Sequence, residues 1–188
     1  LMSAILAAAG WPLVARGVKP ERVAGHSLGE YSALVAAGAL SLEEALGTVR
    51  RRGQYMQEAV PVGTGAMAAI LGLDLAAIEA ACREAAEGEV VSPANVNSPG
   101  QVVVAGHRQA VERVVELASA RGGRRSVLLP VSAPFHCRLM APAATRLAAV
   151  LEALPVAAPS VPVVRNVDAG LTTAVEEVKP FLLRQVAS

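Results

Sequence analysis

The sequence predicts an α/β protein in which a small unit is set inside a larger body. Three observations carry that reading. Hydrophobic residues make up 53% of the chain and aromatic residues only 3%, so the core must be aliphatic, built from alanine-rich helices and valine-rich strands. A short apolar run, Arg22-Val23-Ala24, leads through Gly25-His26-Ser27-Leu28-Gly29 into a helix-like run from Glu30 to Gly38. Strand, G-x-S-x-G, helix is the context of a nucleophile elbow. From Gly65 to Val131 the pattern reads strand, helix, strand, strand, helix, strand, the split βαβ or ferredoxin-like order.

The elements follow in turn. Leu1 to Arg16 is apolar, has no basic flank and contains Pro12. It is shorter than the ~20 residues that span a bilayer, so a core helix closed by Gly17 is expected rather than a leader or anchor. Lys19 to Gly25 leads into the elbow strand, and the helix behind it ends near Gly38. Ser41-Leu42-Glu43-Glu44 forms a capping box, opening a helix to about Ala59. Ala66 to Leu71 reads as a strand. Asp74 caps a helix over Leu75 to Glu87. Val90 to Asn95 is a strand, Asn97-Ser98-Pro99-Gly100 a turn, Gln101 to Ala105 a strand, His107 to Ala120 a helix, and Ser126 to Val131 the last strand of the inset. Then come a loop at Val131 to His136, a helix from Leu139 to Leu154 interrupted by Pro142, a short strand at Val161 to Val164, and a helix from Val175 with Pro180 in its first turns. This assigns residues 1–61 and 132–188 to the body and 62–131 to the inset. The run straight into a helix at Leu1 and the end at Ser188 predict a fragment.

Bulk properties narrow the function. A net charge of +1 argues against nucleic-acid binding. Two cysteines, Cys82 and Cys137, are too few for a disulfide framework and fit a reducing, cytoplasmic setting. Nothing predicts membrane association, and a monomer is expected.

In an elbow the serine backbone is strained and its hydroxyl stands clear, and flanking glycines are needed where strand and helix cross. A Gly/Ser-rich turn without chemistry would give the same five residues. A serine needs a base. His26, its neighbour, points elsewhere and is expected to pack and hydrogen-bond beside the elbow. His107, between a strand and a helix, reads as a surface or cap residue. His136, on a loop about 110 residues after Ser27, is the histidine best placed to serve, and serine before histidine is the chain order of α/β-hydrolase-type sites. No acid is a convincing partner: Asp74 looks like a cap, and Asp168 is a strand-end residue that can be structural. The N–H of Leu28 would be half of an oxyanion hole, and no HGGG-type stretch supplies the other half. Cys137 reads as a buried inert thiol, and its spacing from Cys82 suits no metal site. Arg50, Arg51 and Arg52 cover most of a helix circumference, so one must face inward, toward an ion-pair partner or a substrate carboxylate.

Several segments together are specific. Gly25 to Leu34, Arg52-Gly53-Gln54-Tyr55-Met56-Gln57-Glu58-Ala59, Ser92 to Val103, Pro134-Phe135-His136-Cys137-Arg138-Leu139-Met140 and Asn166-Val167-Asp168 resemble, in the same order, the malonyl-CoA:acyl carrier protein transacylases. The resemblance implies an α/β-hydrolase-like body of parallel strands with a ferredoxin-like subdomain. It implies transfer of malonyl from coenzyme A to the phosphopantetheine thiol of acyl carrier protein, the supply step of fatty acid synthesis, with a coenzyme A thioester as substrate and no metal or redox cofactor. Ser27 would be acylated, His136 would be the base, and Leu28 N–H would be half of the oxyanion hole. Arg52 would pair with the malonyl carboxylate. His26, Phe135, Asn95 and Asn97 would line the substrate path, Phe135 going with malonyl rather than branched acyl groups. Arg165 stands where the family often has Asn. The family's Gly-Gln-Gly loop, and the glutamine near its Gly-Pro-Gly segment that orients the histidine, are expected to lie outside this chain. Alternatives left open are an acyltransferase domain of a polyketide or fatty acid synthase, a serine hydrolase of α/β type, and an inactive fragment that binds coenzyme A or acyl carrier protein. In that last case Arg121, Arg124 and Arg125 could face an acidic carrier.

Overall fold

The computed structural model describes residues 16–17 and 19–187. The helix expected over Leu1 to Ala15 lies outside them. The chain divides into two compact units: one runs through Gln54 and resumes at Arg146–Gln185, and the other holds Tyr55–Thr145 and the chain end from Val186. Helices and an antiparallel sheet make this a mixed α/β protein.

In the first unit, Val23 forms a parallel bridge to Val163. Its N–H donates to the Pro162 carbonyl and its carbonyl accepts from Val164, both at 2.9 Å. The elbow follows at once and opens α1 (Leu28–Ala36). Gly38, at φ 71, ends that helix, and the Ala37 carbonyl accepts from both the N–H and the hydroxyl of Ser160. The capping box forms as the sequence implies: Glu44 N–H donates to Ser41 Oγ at 3.2 Å while Glu44 Oε2 takes the Ser41 N–H at 3.0 Å. It starts α2 (Leu42–Glu58). The two-residue strands β5 (Val163–Val164) and β6 (Leu171–Thr172) pair antiparallel across the turn at 165–170. The closing helix, here α6 (Val175–Ala187), holds Pro180 within it, and buries Val178, Phe181, Leu182 and Gln185 along one face.

The second unit holds a four-stranded antiparallel sheet in the order β2-β3-β1-β4. Its strands are β1 (Gly65–Leu71), β2 (Val91–Ser98), β3 (Gln101–His107) and β4 (Arg125–Leu128). Two helices, α3 (Leu75–Ala85) and α4 (Arg108–Ala120), cover one face. There Ala66, Ala68 and Ile70 of β1 and Val102 and Val104 of β3 pack on Ile78, Cys82, Val111 and Val114. The opposite face, with Met67, Val103 and Ala105, is covered by Phe135, Cys137 and Leu139. Both faces are covered, which is why β1 and β3 read as unbroken apolar runs rather than as alternation.

Boundaries shift where backbone chemistry overrides pattern. β2 runs on to Ser98, so Asn97 lies in the strand, and Pro99-Gly100 alone make the turn, Gly100 at φ 73. Register slips at Pro93/Asn95 and Val96/Ser98 insert bulges that re-aim this strand. β4 stops at Leu128 because Pro130 has no N–H for the ladder. α3 ends early, as Glu87 and Gly88 both take positive φ. Pro142 interrupts nothing: it sits in the first turn of α5 (Ala141–Glu152), where its missing N–H is not needed. His107 precedes α4 without capping it, and its Nδ1 instead accepts the Val90 N–H at 2.9 Å.

Asp74 does cap α3, its Oδ1 accepting the Ala77 N–H at 2.8 Å. Asp74→Ala should therefore cost about 1 kcal/mol of stability, read as a lower urea midpoint at unchanged slope.

Candidate active site

The elbow is strained in the way its motif requires. Ser27 sits at φ 53, ψ −105, a region that costs a non-glycine residue about 1–3 kcal/mol. A Cβ on Gly25 would fall 1.9 Å from the Gly29 carbonyl oxygen, so the strand can cross the helix start only with glycine there. Gly29 itself has open space where a Cβ would go, which corrects the expectation that both glycines are sterically required. Ser27 occupies the N-cap position of α1 but makes no side-chain cap hydrogen bond. Leu28 is the first residue of that helix, where an N–H has no intrahelical acceptor.

Asn166, in the β5–β6 turn, clamps the elbow. Its Oδ1 accepts the Ser27 N–H at 2.6 Å, and its Nδ2 donates to the Gly25 carbonyl at 2.7 Å. Arg165 and Asp168 shape the same turn. Arg165 Nε donates to Asp168 Oδ1 and its Nη1 to Glu177 Oε2, both at 2.9 Å, so this arginine ties the turn to α6. The Gly170 N–H, with Arg165 adding to it, holds Asp168 below the usual carboxylate range. Asp168 is thus a turn-forming residue.

Beneath the serine lies a buried polar network. Of the three consecutive arginines Arg52 alone faces inward, 4% exposed. Its Nη2 donates to Ser27 Oγ at 3.0 Å and to Gln185 Oε1 at 2.9 Å. Gln185 Nε2 donates to the Ser27 carbonyl at 3.1 Å and to Glu30 Oε2. Glu30 Oε1 accepts the Asn166 N–H at 3.0 Å. Glu30 is fully buried and Gln185 is 2% exposed. Burial pushes the Glu30 carboxyl up to about 7, against the Asn166 and Gln185 hydrogen bonds and the Arg52 charge, which favour its anion. Burial likewise draws Arg52 down from its usual value, opposed by Tyr31 and Glu30. Arg52 Nε and Tyr31 Oη are buried and find no hydrogen-bond partner among the described residues.

In the second unit His136 is 7% exposed and adopts φ 59, a left-handed backbone in a non-glycine residue. Phe135 packs on the apolar cluster under the sheet. Asn95 and Asn97 lie on β2 beside its bulges, Asn97 exposed. Cys82 and Cys137 are free, buried and pushed up to about 11 by burial, so neither is a thiolate near neutrality. Among the described residues, no group of His, Cys, Asp and Glu could hold a metal ion, and no helix is long and apolar enough to cross a membrane.

The network joins Ser27 and Arg52, two of the residues singled out from sequence. His26 is exposed. Sequence reasoning passes over Glu30 and Gln185, and treats Asn166 only as part of a matching segment. Gln185 carried a readable signal: it is the one amide on the apolar stripe Val178, Phe181, Leu182 of α6.

The acyl transferase domain family matches residues 2–179. The chain belongs to that family. It is 56% identical over 170 residues to the malonyl CoA-acyl carrier protein transacylase of Escherichia coli K12, covering 90% of this chain and 55% of that protein. The structure of an acyl-carrier-protein S-malonyltransferase from Burkholderia pseudomallei superposes with a TM-score of 0.96 at 46% identity, covering 100% of this chain and 61% of the other. A malonyl-transacylase solved in complex with AntF, a type II polyketide synthase acyl-carrier protein, superposes at 0.93 with 48% identity, covering 99% and 60%. The chain thus spans little more than half the length of these relatives.

A fold that binds the Glu30 proton more tightly than the unfolded chain does must lose stability as pH rises from about 4.5 to about 7. By pH 8 the wild type should have lost about 3 kcal/mol relative to Glu30→Gln, measured as the difference between their urea-unfolding free energies across that range.

Proposed function

We propose that this acyl transferase domain moves malonyl from coenzyme A to the phosphopantetheine thiol of acyl carrier protein, through a malonyl ester on Ser27. The observation that carries the reading is the Arg52 guanidinium, buried and donating to Ser27 Oγ at 3.0 Å. An acyl group on that oxygen with a carboxylate two carbons away would present its anion to the same cation. Acetyl would leave the guanidinium without a counter-charge, and a buried charge without its partner is costly. A plain esterase has no use for such a cation. The relatives named above, whose names specify malonyl and acyl carrier protein, support the same substrate pair.

In this reading His136 takes the proton of Ser27 Oγ as that oxygen attacks the thioester carbonyl. The Leu28 N–H stabilises the oxyanion. Collapse breaks the C–S bond, and the proton passes from His136 to the leaving coenzyme A thiolate. The carrier thiol then gives its proton to His136 and attacks the ester, and Ser27 Oγ leaves with that proton. His26, Phe135, Asn95 and Asn97 would contact substrate, with Phe135 limiting the acyl group to an unbranched one. No metal or redox chemistry is required. The corresponding fold reading is an α/β-hydrolase-like body, residues 1–61 and 132–188, with a ferredoxin-like subdomain at 62–131. The parallel bridge of Val23 to Val163 and the strand order β2-β3-β1-β4 support it.

Incubation with malonyl-CoA should give a malonyl adduct by intact mass that is absent from Ser27→Ala; no adduct on the wild type would overturn the reading. Arg52→Ala should lower the malonyl-over-acetyl preference by about 100-fold, the scale of a lost charge-assisted contact, and an unchanged preference would remove Arg52 from its role.

A further inference from the structure

Glu30 has no part in the proton transfers above, yet it is the anion of the buried network. Its two oxygens accept from the Asn166 N–H and from Gln185 Nε2. A carboxylate can only accept and a guanidinium can only donate. The Gln185 amide, with one donor end and one acceptor end, is therefore oriented by Glu30: Nε2 toward the carboxylate, Oε1 toward Arg52. No Glu30–Arg52 ion pair forms among the described residues, because the amide joins the two. Arg52 Nη2 is held on Gln185 Oε1 and Ser27 Oγ, and its Nε, buried and without a partner among the described residues, remains for a further acceptor.

We propose that Glu30, acting through Gln185, is the positioning residue that holds the Arg52 guanidinium in register with Ser27 and thereby sets the preference for an acyl group bearing its own carboxylate. For the substrate class this rests on the acyl-transfer reading above. Only the anion serves. On protonation one Glu30 oxygen becomes a donor, and Gln185 Nε2 opposite it is a donor too. The amide relieves this by turning over, which sets its Nε2 against the donors of Arg52. Burial holds the Glu30 carboxyl at about 7, so the change falls near neutrality. The groups facing it are Arg52 from α2, Gln185 from α6, and Asn166 and Asp168 from the β5–β6 turn, with Tyr31 beside it on α1 pushed up to about 12 by burial. Asp168 is held below its usual range, and an arginine does not deprotonate in a protein, so Glu30 is the member that titrates.

The test is the ratio of Ser27 acylation rates from malonyl-CoA and acetyl-CoA, followed by quenched intact mass across neutral pH. Ionisations common to both donors, His136 included, cancel in the ratio. In the wild type the ratio should fall about tenfold as pH drops through about 7, the scale of one lost hydrogen bond to a charged group. Glu30→Gln should give a low ratio that does not change with pH, and Glu30→Asp should restore the slope with a displaced midpoint. A Glu30→Gln ratio that matches the wild type in size and slope overturns the proposal. A second readout needs no acyl donor: the Arg52 Nε–H resonance of 15N-labelled protein, assigned with Arg52→Lys, should titrate near pH 7 in the wild type and not in Glu30→Gln. An identical titration in both overturns the proposal while leaving the acyl-transfer reading intact. A titration lost in Glu30→Gln, in a protein that forms no adduct, establishes the grip of Glu30 on Arg52 and overturns the acyl-transfer reading together with the selectivity drawn from it.

Discussion

A single buried amide joins an anion to a cation beneath the elbow serine, and the first unit is arranged to deliver its partners. Helix α1 brings Glu30, helix α2 brings Arg52, helix α6 brings Gln185, and the β5–β6 turn brings Asn166. An ionised group removed from water costs several kcal/mol unless its hydrogen-bonding capacity is met. Each element is therefore fixed by the demand that a buried donor find an acceptor. The one arginine of three that turns inward is the one whose guanidinium meets Ser27 Oγ and Gln185 Oε1. The one polar residue on the apolar stripe of α6 is tolerated because both ends of its amide are taken.

The same elements hold the backbone strain at Ser27. A positive φ in a serine persists only when its surroundings over-determine it. Here the Asn166 side chain spans the turn from the Gly25 carbonyl to the Ser27 N–H, and Gln185 holds the Ser27 carbonyl. The serine is thus gripped on both sides of its Cα. Its side chain takes no part in capping α1, and its oxygen meets a cationic donor instead. A hydroxyl beside a fixed positive charge is easier to deprotonate than one in water, so the contact that positions Arg52 also favours the alkoxide.

Legibility in the sequence followed the range of the forces involved. The elbow, the capping box at Ser41 and Glu44, the Asp74 cap and the six elements of the inset are local, and residue type and period reveal them. The inward turn of one arginine was also readable, because three consecutive helical positions cannot all face water. What escaped was non-local. Glu30 looks like a helix-favouring surface residue until α2 and α6 close over it. Gln185 meets its partner more than 150 positions away. Asn166 fits a turn composition, and nothing local reveals that it clamps another turn. The strand ends were misplaced where a bulge or a proline decided them, as at Asn97 and Pro130. The histidine's left-handed backbone at φ 59 likewise leaves no trace in the residues around it.

The network is not built for stability. Replacing a buried charged group and its partners with apolar side chains of similar volume is often neutral or stabilising, and Glu30 resists ionisation because it is buried. Its anion destabilises the fold as pH approaches neutrality, while that same anion is the form that orients Gln185 toward Arg52. Arg52 in turn keeps a buried Nε that meets no acceptor among the described residues. An arrangement that burdens the fold with a reluctant anion and an unsatisfied cation has its physical rationale in a bound state. A carboxylate arriving on Ser27 would give Arg52 the acceptor it lacks, and it would also bring a second negative charge toward Glu30, drawing on the same guanidinium. On the proposed acyl-transfer reading, the strain of the resting network would be relieved selectively by an acyl group that carries a negative charge.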